Sequence, residues 1–433
     1  MYRNDPYIVL TADGATKIAS SASTRGRITI RSVPSENLFV IAALDVANGA
    51  MVPVDIPKEF TALRWGDKAV PAQWVRQSDN ALHVLHVSML RRPGAAARAS
   101  FDVFKQKIPA LVDPGAKLGI LITHQPDLDP QLRAIGVCEF AGWRVHRDGV
   151  RPIHVEVEPA VVGLDQLADS WPLERLRANS VMLVGCGSLG STAAEALAGY
   201  GVGRVELVDP DRFLWHNMLR HTLGPESVGR YKVSALKSHL NAGWPSQDVR
   251  AHRLDVVEDA HHIRRLVDDV NLVLCTADGI APRRVVSHLA RGSGTPAVLA
   301  CVLDHGAVGE ILRLRPTPRF GCLLCLRQHL AERGAMDAEA DQELAYGTGR
   351  IHQPMTAVPP DLRYVGTLAA KIAVATLLES LHGDHTQRIP GEHAILGLHP
   401  AGDLAEPFGR HKPGDVEWLP IPPPRQNCPT CAI

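Results

Sequence analysis

Three glycines, Gly185, Gly187 and Gly190, stand in G-x-G-x-x-G spacing within the stretch VMLVGCGSLGSTAAEAL. The first glycine of such a loop turns the chain, and the second lets backbone approach a phosphate. The third lets the following helix pack closely on the strand. A helix beginning there presents unpaired N–H groups and a partial positive charge to an anion. Asp209 follows 19 residues after Gly190, where a carboxylate can accept hydrogen bonds from a ribose. Beyond it come Asp211, Asn217, Arg220 and Lys232. An amide, a guanidinium and an ammonium suit a triphosphate, since arginine grips phosphate bidentately and lysine adds a point charge. Asp278 closes the apolar run from Asn271 to Cys275. An acid facing phosphates is repelled unless a cation intervenes, so this position calls for Mg²⁺.

A second constellation is made of sulfur. Cys322-x-x-Cys325 and Cys428-x-x-Cys431 form a Cys₄ set suited to tetrahedral Zn²⁺. Four thiolates close the coordination sphere and leave no place for water, so the metal is expected to be structural. Half of the eight cysteines in C-x-x-C pairs speaks for a reducing cytoplasm rather than a disulfide framework. Cys138, flanked by apolar residues in AIGVCEFAGW, reads as a buried strand thiol.

These residues need elements to position them. Val181–Val184 and Val205–Val208 read as strands on either side of a helix carrying Ala194, Leu197 and Ala198 on one face. The spacing predicts a helix over 227–241, a strand over 249–256, and helices over 260–267 and 282–291. The runs 271–275 and 296–302 read as buried strands, 306–314 as an antiparallel strand, and 365–381 as a helix. Strands alternating with helices imply a parallel sheet covered on both faces. Residues 1–160 carry no such pattern. Their apolar runs, Leu38–Leu44, Leu82–Val87, Leu118–Thr123 and Ile153–Val157, alternate with Pro, Gly and Asp clusters and indicate a β-rich mixed accessory domain.

A chain of 433 residues exceeds one ordinary core, which supports two domains, 1–160 and 161–433. Lys plus Arg and Asp plus Glu both number 46, so no global field attracts nucleic acid or a membrane surface. No uninterrupted apolar stretch reaches the roughly 18 residues of a membrane span, and the first residues lack a signal pattern. The expected location is therefore the cytoplasm.

Residues 170–433 resemble the adenylation domain of the ubiquitin-activating-like superfamily, which includes the bacterial adenylyltransferases for the thiamine and molybdopterin sulfur carriers. The family's glycine loop matches Gly185, Gly187 and Gly190, and its D-x-D matches Asp209 and Asp211. Its S-N-x-x-R-Q appears as His216-Asn217-Met218-Leu219-Arg220-His221, and its V-G-x-x-K as Val228 to Lys232. Its C-T-D strand end appears as Cys275-Thr276-Ala277-Asp278. The resemblance implies a Rossmann-like α/β domain that binds ATP and Mg²⁺ and carries Zn²⁺ on its four cysteines. It implies a crossover loop at about 326–363, punctuated by Gly334, Gly347, Gly349 and Pro359-Pro360, and a homodimer.

The implied reaction is adenylation of the C-terminal carboxylate of a ubiquitin-like or sulfur-carrier protein. Arg220, Lys232 and Asp278 would be catalytic, with Gly185, Gly187, Gly190, Asp209, Asp211 and Asn217 holding the nucleotide. A ubiquitin-like conjugation system of phage defence, with a downstream conjugating enzyme, is one setting. Carrier activation in thiamine or molybdenum cofactor synthesis is the alternative, and a non-catalytic carrier-binding scaffold is a third reading. Residues 326–427 contain no cysteine, so the reaction is expected to stop at the adenylate.

Overall fold

The computed structural model describes residues 6–33, 36–47, 49–56, 71–92, 98–159, 163–335, 357–400 and 404–432. The chain divides into two compact units, Met1–Val162 and Gly163–Ile433.

The first unit is built on strands β1 (Tyr7–Leu10), β2 (Arg25–Val33), β3 (Leu38–Ala47), β4 (Ala50–Pro53), β5 (Ala72–Arg76), β6 (Gly119–His124), β7 (Phe140–His146) and β8 (Gly149–Val157). They follow the order β1-β8-β7-β6-β5-β2-β3-β4, and β1 also pairs in parallel with β3, so seven strands close into a ring with β4 attached to β3. Helices α1 (Ala12–Ala19), α2 (Ala81–Leu90), α3 (Phe101–Lys107) and α4 (Pro130–Ala134) complete it. The alternation along β6 explains why both strand faces are apolar. Ile120 and Ile122 join Ile8, Leu10 and Trp74 in one core, while Leu121 joins Phe104 and Trp143 in another.

Two expectations are corrected here. The run Leu82–Val87 is helical, within α2, because Leu82, His83, His86 and Met89 recur at helical spacing and bury one side. A short apolar run does not by itself distinguish strand from helix. Cys138 is exposed and precedes β7, so it is not a buried strand thiol.

The second unit holds β9 (Ser180–Val184), β10 (Arg204–Val208), β11 (Asp248–His252), β12 (Leu272–Cys275), β13 (Ala297–Leu303), β14 (Val308–Leu314), β15 (His393–Gly397) and β16 (Val416–Leu419). Their order is β11-β10-β9-β12-β13-β14-β15-β16. The first five run parallel and the last three antiparallel, giving a Rossmann-type mixed sheet. The helices are α5 (Leu173–Arg177), α6 (Ser188–Tyr200), α7 (Lys232–Gly243), α8 (Ala260–Asp268), α9 (Ile280–Ser293), α10 (Leu323–Glu332) and α11 (Pro359–His382). Residues of α6, α7 and α11 fill the core on one sheet face; those of α8, α9 and α10 fill the other.

Helix α11 is long and apolar enough to cross a membrane, but 61% of its apolar window is buried inside the protein. It packs on α6 through Gly366, where a Cβ would come within 2.6 Å of the Leu189 carbonyl oxygen. Of the crossover loop expected at about 326–363, residues 336–356 lie outside the described residues; at its flanks residues 326–332 belong to α10 and Pro359-Pro360 opens α11. Proline fits the first helical turn, whose N–H groups have no intrahelical acceptor in any case. Gly347 and Gly349 lie outside the described residues. The helix expected from 227 begins at Lys232, because Gly229 turns the chain at φ +87° just before it. The strand expected over 249–256 ends at His252.

Candidate functional site

From β9 the chain steps to β10 and β11 on one side, then to β12 and β13 on the other. The carboxyl ends of β9 and β12 therefore flank a crevice, the place where open α/β sheets take ligands. A cleft of about 890 Å³ of empty space, part of it open to solvent, lies there. Its walls include Gly185, Gly187, Asp209, Asp211, Asn217, Arg220, Lys232 and Asp278. Residues up to 93 positions apart in sequence meet around one volume.

The three glycines do different work. Gly185 has φ +87°, and a Cβ there would lie 2.5 Å from the Ala277 amide nitrogen. A Cβ on Gly190 would fall 1.9 Å from the Gly185 carbonyl oxygen, so helix and loop touch only without a side chain. Among the described residues nothing lies within 4 Å of a Cβ built on Gly187. That open side is the room a phosphate needs beside the first turn of α6, whose N–H groups lack intrahelical acceptors.

The loop is held from three directions. Asp209, nearly buried, accepts the Cys186 N–H on Oδ2 at 2.7 Å and the Asp211 N–H on Oδ1 at 2.8 Å. Thr276 donates its hydroxyl to the Gly185 carbonyl at 2.6 Å. His221 accepts the Leu223 N–H on Nδ1 at 3.1 Å, which leaves Nε2–H to donate to the Cys186 carbonyl at 2.8 Å. Burial, before any other cause, pulls the His221 pKa down to about 4 and keeps the ring neutral. Thr276 and His221 were not singled out by sequence. Their signal was their place inside the C-T-A-D and H-N-M-L-R-H runs.

Charge in the cleft is mixed. Lys232, first residue of α7, lies 2.8 Å from Asp211 and 3.7 Å from Asp209. Burial disfavours its ammonium, but Asp209, Asp211 and Asp278 outweigh that and raise its pKa. Burial likewise raises the Asp209 carboxyl against the pull of Lys232. Asp278 has surface open to the cleft, yet the surrounding protein raises its pKa against the pull of Arg220, Lys232 and Arg283. A carboxylate so poorly compensated, beside a phosphate-sized space, is a fitting ligand for a hard divalent cation. Asn217 uses Oδ1 to accept the Leu214 N–H at 2.8 Å, which leaves its amide N–H groups as the donors for a ligand.

The thiols of this unit outside the tetrad are enclosed. Cys186 is fully buried, and burial first, then Asp209, pushes its thiol well above the usual range. Cys301 is buried where Arg283 donates to its Sγ and Glu310 Oε2 lies 3.7 Å away.

The cysteine tetrad is assembled. Cys322 caps the start of α10, and the four buried sulfurs all lie within 4.8 Å of one another. Pairs 322–428, 325–431 and 322–325 are 3.4, 3.8 and 3.9 Å apart. Zn–S bonds of about 2.3 Å in a tetrahedron require edges of about 3.8 Å, so the set fits zinc. The Arg425 N–H also donates to the Cys325 sulfur at 3.4 Å, as a thiolate ligand would accept.

The model of the ThiF family matches residues 159–396, more than half of the chain. The chain belongs to the ThiF family. This ThiF-family chain is 26% identical over 294 residues to protein y4oA of Sinorhizobium fredii, covering 64% of this chain and 49% of that one. It is 30% identical over 155 residues to the sulfur carrier protein ThiS adenylyltransferase of Bacillus subtilis, covering 35% of this chain and 45% of that protein. Thus the chain spans about half the length of the curated relatives it matches. Among solved structures, Escherichia coli MccB with ATP is 16% identical and covers 60% of this chain and 68% of that chain at a TM-score of 0.45.

Proposed function

We propose that this protein adenylates the C-terminal carboxylate of a ubiquitin-like or sulfur-carrier protein. The observation that carries the reading is the convergence of the glycine loop, Arg220, Lys232 and Asp278 on one cleft at the sheet's switch point. In the reaction, a carboxylate oxygen of the carrier attacks the α-phosphorus of ATP in line, and pyrophosphate departs with the bonding pair. Such a displacement needs positioning and charge neutralisation more than covalent help. The N–H groups of the loop and α6 hold phosphate oxygens, while Arg220 and Lys232 balance charge on the leaving pyrophosphate. Asp211 and the open lone pairs of Asp209 face the ribose, and the Asn217 amide donates to a phosphate. A Mg²⁺ held by Asp278 would neutralise phosphate charge as the α-phosphorus becomes five-coordinate. Zn²⁺ on the four cysteines would be structural.

The family match and the ThiS adenylyltransferase relative support a protein carrier as the acceptor. We place the protein in the cytoplasm as a homodimer, active in a ubiquitin-like conjugation system with a downstream conjugating enzyme, such as one used in phage defence. Activation of a sulfur carrier for cofactor synthesis has equal chemical support. The test is carrier-dependent exchange of labelled pyrophosphate into ATP. A purified protein that binds ATP but exchanges nothing with either carrier class would refute catalysis.

A further inference from the structure

One polar group in the cleft has no task in the account above. Ser188, the first residue of α6, is 8% exposed, and among the described residues its Oγ meets no hydrogen-bond partner. It lines the cleft between Gly187 and Leu189. Its neighbours are provided for: the Ser188 carbonyl accepts the hydroxyls of Ser191 at 3.2 Å and Thr192 at 3.1 Å. The helix start gains no side-chain cap. A hydroxyl serving the fold at this position would bond a first-turn N–H or a loop carbonyl, and this one does neither. A buried hydroxyl without a partner is a penalty that a ligand can relieve.

We propose that Ser188 is a ligand-binding residue whose Oγ–H donates to a phosphate oxyanion seated on the glycine loop. Three features converge on that chemistry. The N-terminus of α6 attracts negative charge. The space beside Gly187 is open. A fully ionised phosphate oxygen only accepts, and the serine rotor is free to donate. The hydroxyl thus adds a side-chain donor to a loop that otherwise offers backbone alone. The proposal rests on the nucleotide reading of the cleft and extends it to a further residue.

Calorimetric titration of ATP into wild type, Ser188→Ala and Ser188→Gly tests it. A hydrogen bond to a charged group predicts ATP affinity lower by roughly 10- to 100-fold in both variants. Melting of the empty proteins separates this from a structural role. Removing an unpartnered hydroxyl should leave the Ser188→Ala melting temperature equal or higher, while the rise on adding ATP shrinks. The same titration with AMP and with pyrophosphate locates the contact: a loss confined to AMP assigns it to the α-phosphate, and a loss confined to pyrophosphate assigns it to the departing pair. Unchanged ATP affinity in Ser188→Ala, beside tight binding by wild type, would overturn the Ser188 proposal alone. A folded wild type that binds no ATP would overturn both readings together.

Discussion

The Lys232 ammonium rests 2.8 Å from the Asp211 carboxylate before any ligand arrives. With its pKa raised, Lys232 is a cation at every working pH, and a phosphate must draw it from an acid that is itself largely exposed. Lys232→Ala should lower carrier-dependent pyrophosphate exchange at least about 100-fold, the usual loss for one group that stabilises developing charge. It also leaves two carboxylates facing each other, which should cost roughly 1–3 kcal/mol in chemical denaturation. Exchange at the wild-type rate would remove Lys232 from the reaction.

Two glycines only three residues apart should fail in different ways. Gly190→Ala drives a Cβ to 1.9 Å from a backbone oxygen, so the loop must open; soluble yield and melting temperature should both fall. Gly187→Ala meets nothing within 4 Å and should fold as wild type, but it fills the phosphate space and should weaken ATP binding at least about tenfold. Equal melting temperatures for the two variants would contradict this division.

Acid should loosen the fold through its buried histidines. His221 and His86 are each held to a pKa of about 4, in both cases chiefly by burial. Below pH 6.5 the unfolded chain takes up protons that the folded rings refuse. Stability is therefore complete above pH 6.5 and is lost as pH falls toward 4, by up to about 3 kcal/mol for each ring. In His221→Gln, denaturant titrations across this window should show a shallower loss than wild type. Identical slopes would mean that His221 is not held neutral. Protonation at Nδ1 would also turn the acceptor of the Leu223 N–H into a second donor facing it, disturbing the ring that holds the loop, so exchange should decline over the same range.

The sulfur tetrad predicts one Zn²⁺ per chain by metal analysis. Cys428→Ser should remove it and lower stability by several kcal/mol, because structural zinc binding is folding free energy. A metal-free protein with an unchanged melting temperature would refute the assignment.

Thiol chemistry offers a separate check. Of the eight cysteines Cys138 alone is exposed, so a thiol reagent added to the zinc-loaded native protein should label one site quickly. With ATP, Mg²⁺ and carrier, no reducible adduct on Cys186 or Cys301 should form, because both sulfurs are buried. Such an adduct, lost in Cys301→Ala, would make the protein a thioester-forming activator.

How far the sequence could be read depended on the range of the interactions. Strand, glycine loop and helix from Val181 to Tyr200 follow from local spacing, and the alternation from β9 to β13 follows from chain order. The bonds that shape the loop do not. Thr276 reaches Gly185 across 91 residues and His221 reaches Cys186 across 35, and the runs that contain them do not say which distant atoms they bond. Val228 and Val233 fit a helical period, but Gly229 holds a turn between them, so the spacing starts α7 too early. In the first unit, parallel pairing of β1 with both β3 and β8 joins segments far apart in the chain, so ring closure has no sequence signature. Cys138 is exposed although Val137 and Phe140 beside it are buried, and a run of apolar letters does not show which of its members faces water.

The cysteine tetrad joins points 106 residues apart, with α11, β15 and β16 threaded between them. A metal seated there makes that span a closed circuit. A protease cutting once between 333 and 357 would convert the second unit into two polypeptides without releasing either, since the ion would tether them outside the peptide backbone. Integrity after such a nick would then rest on that ion together with the packing of α11 on α6 and the pairing of β15 with β14, and a chelator would leave packing alone to hold the pieces.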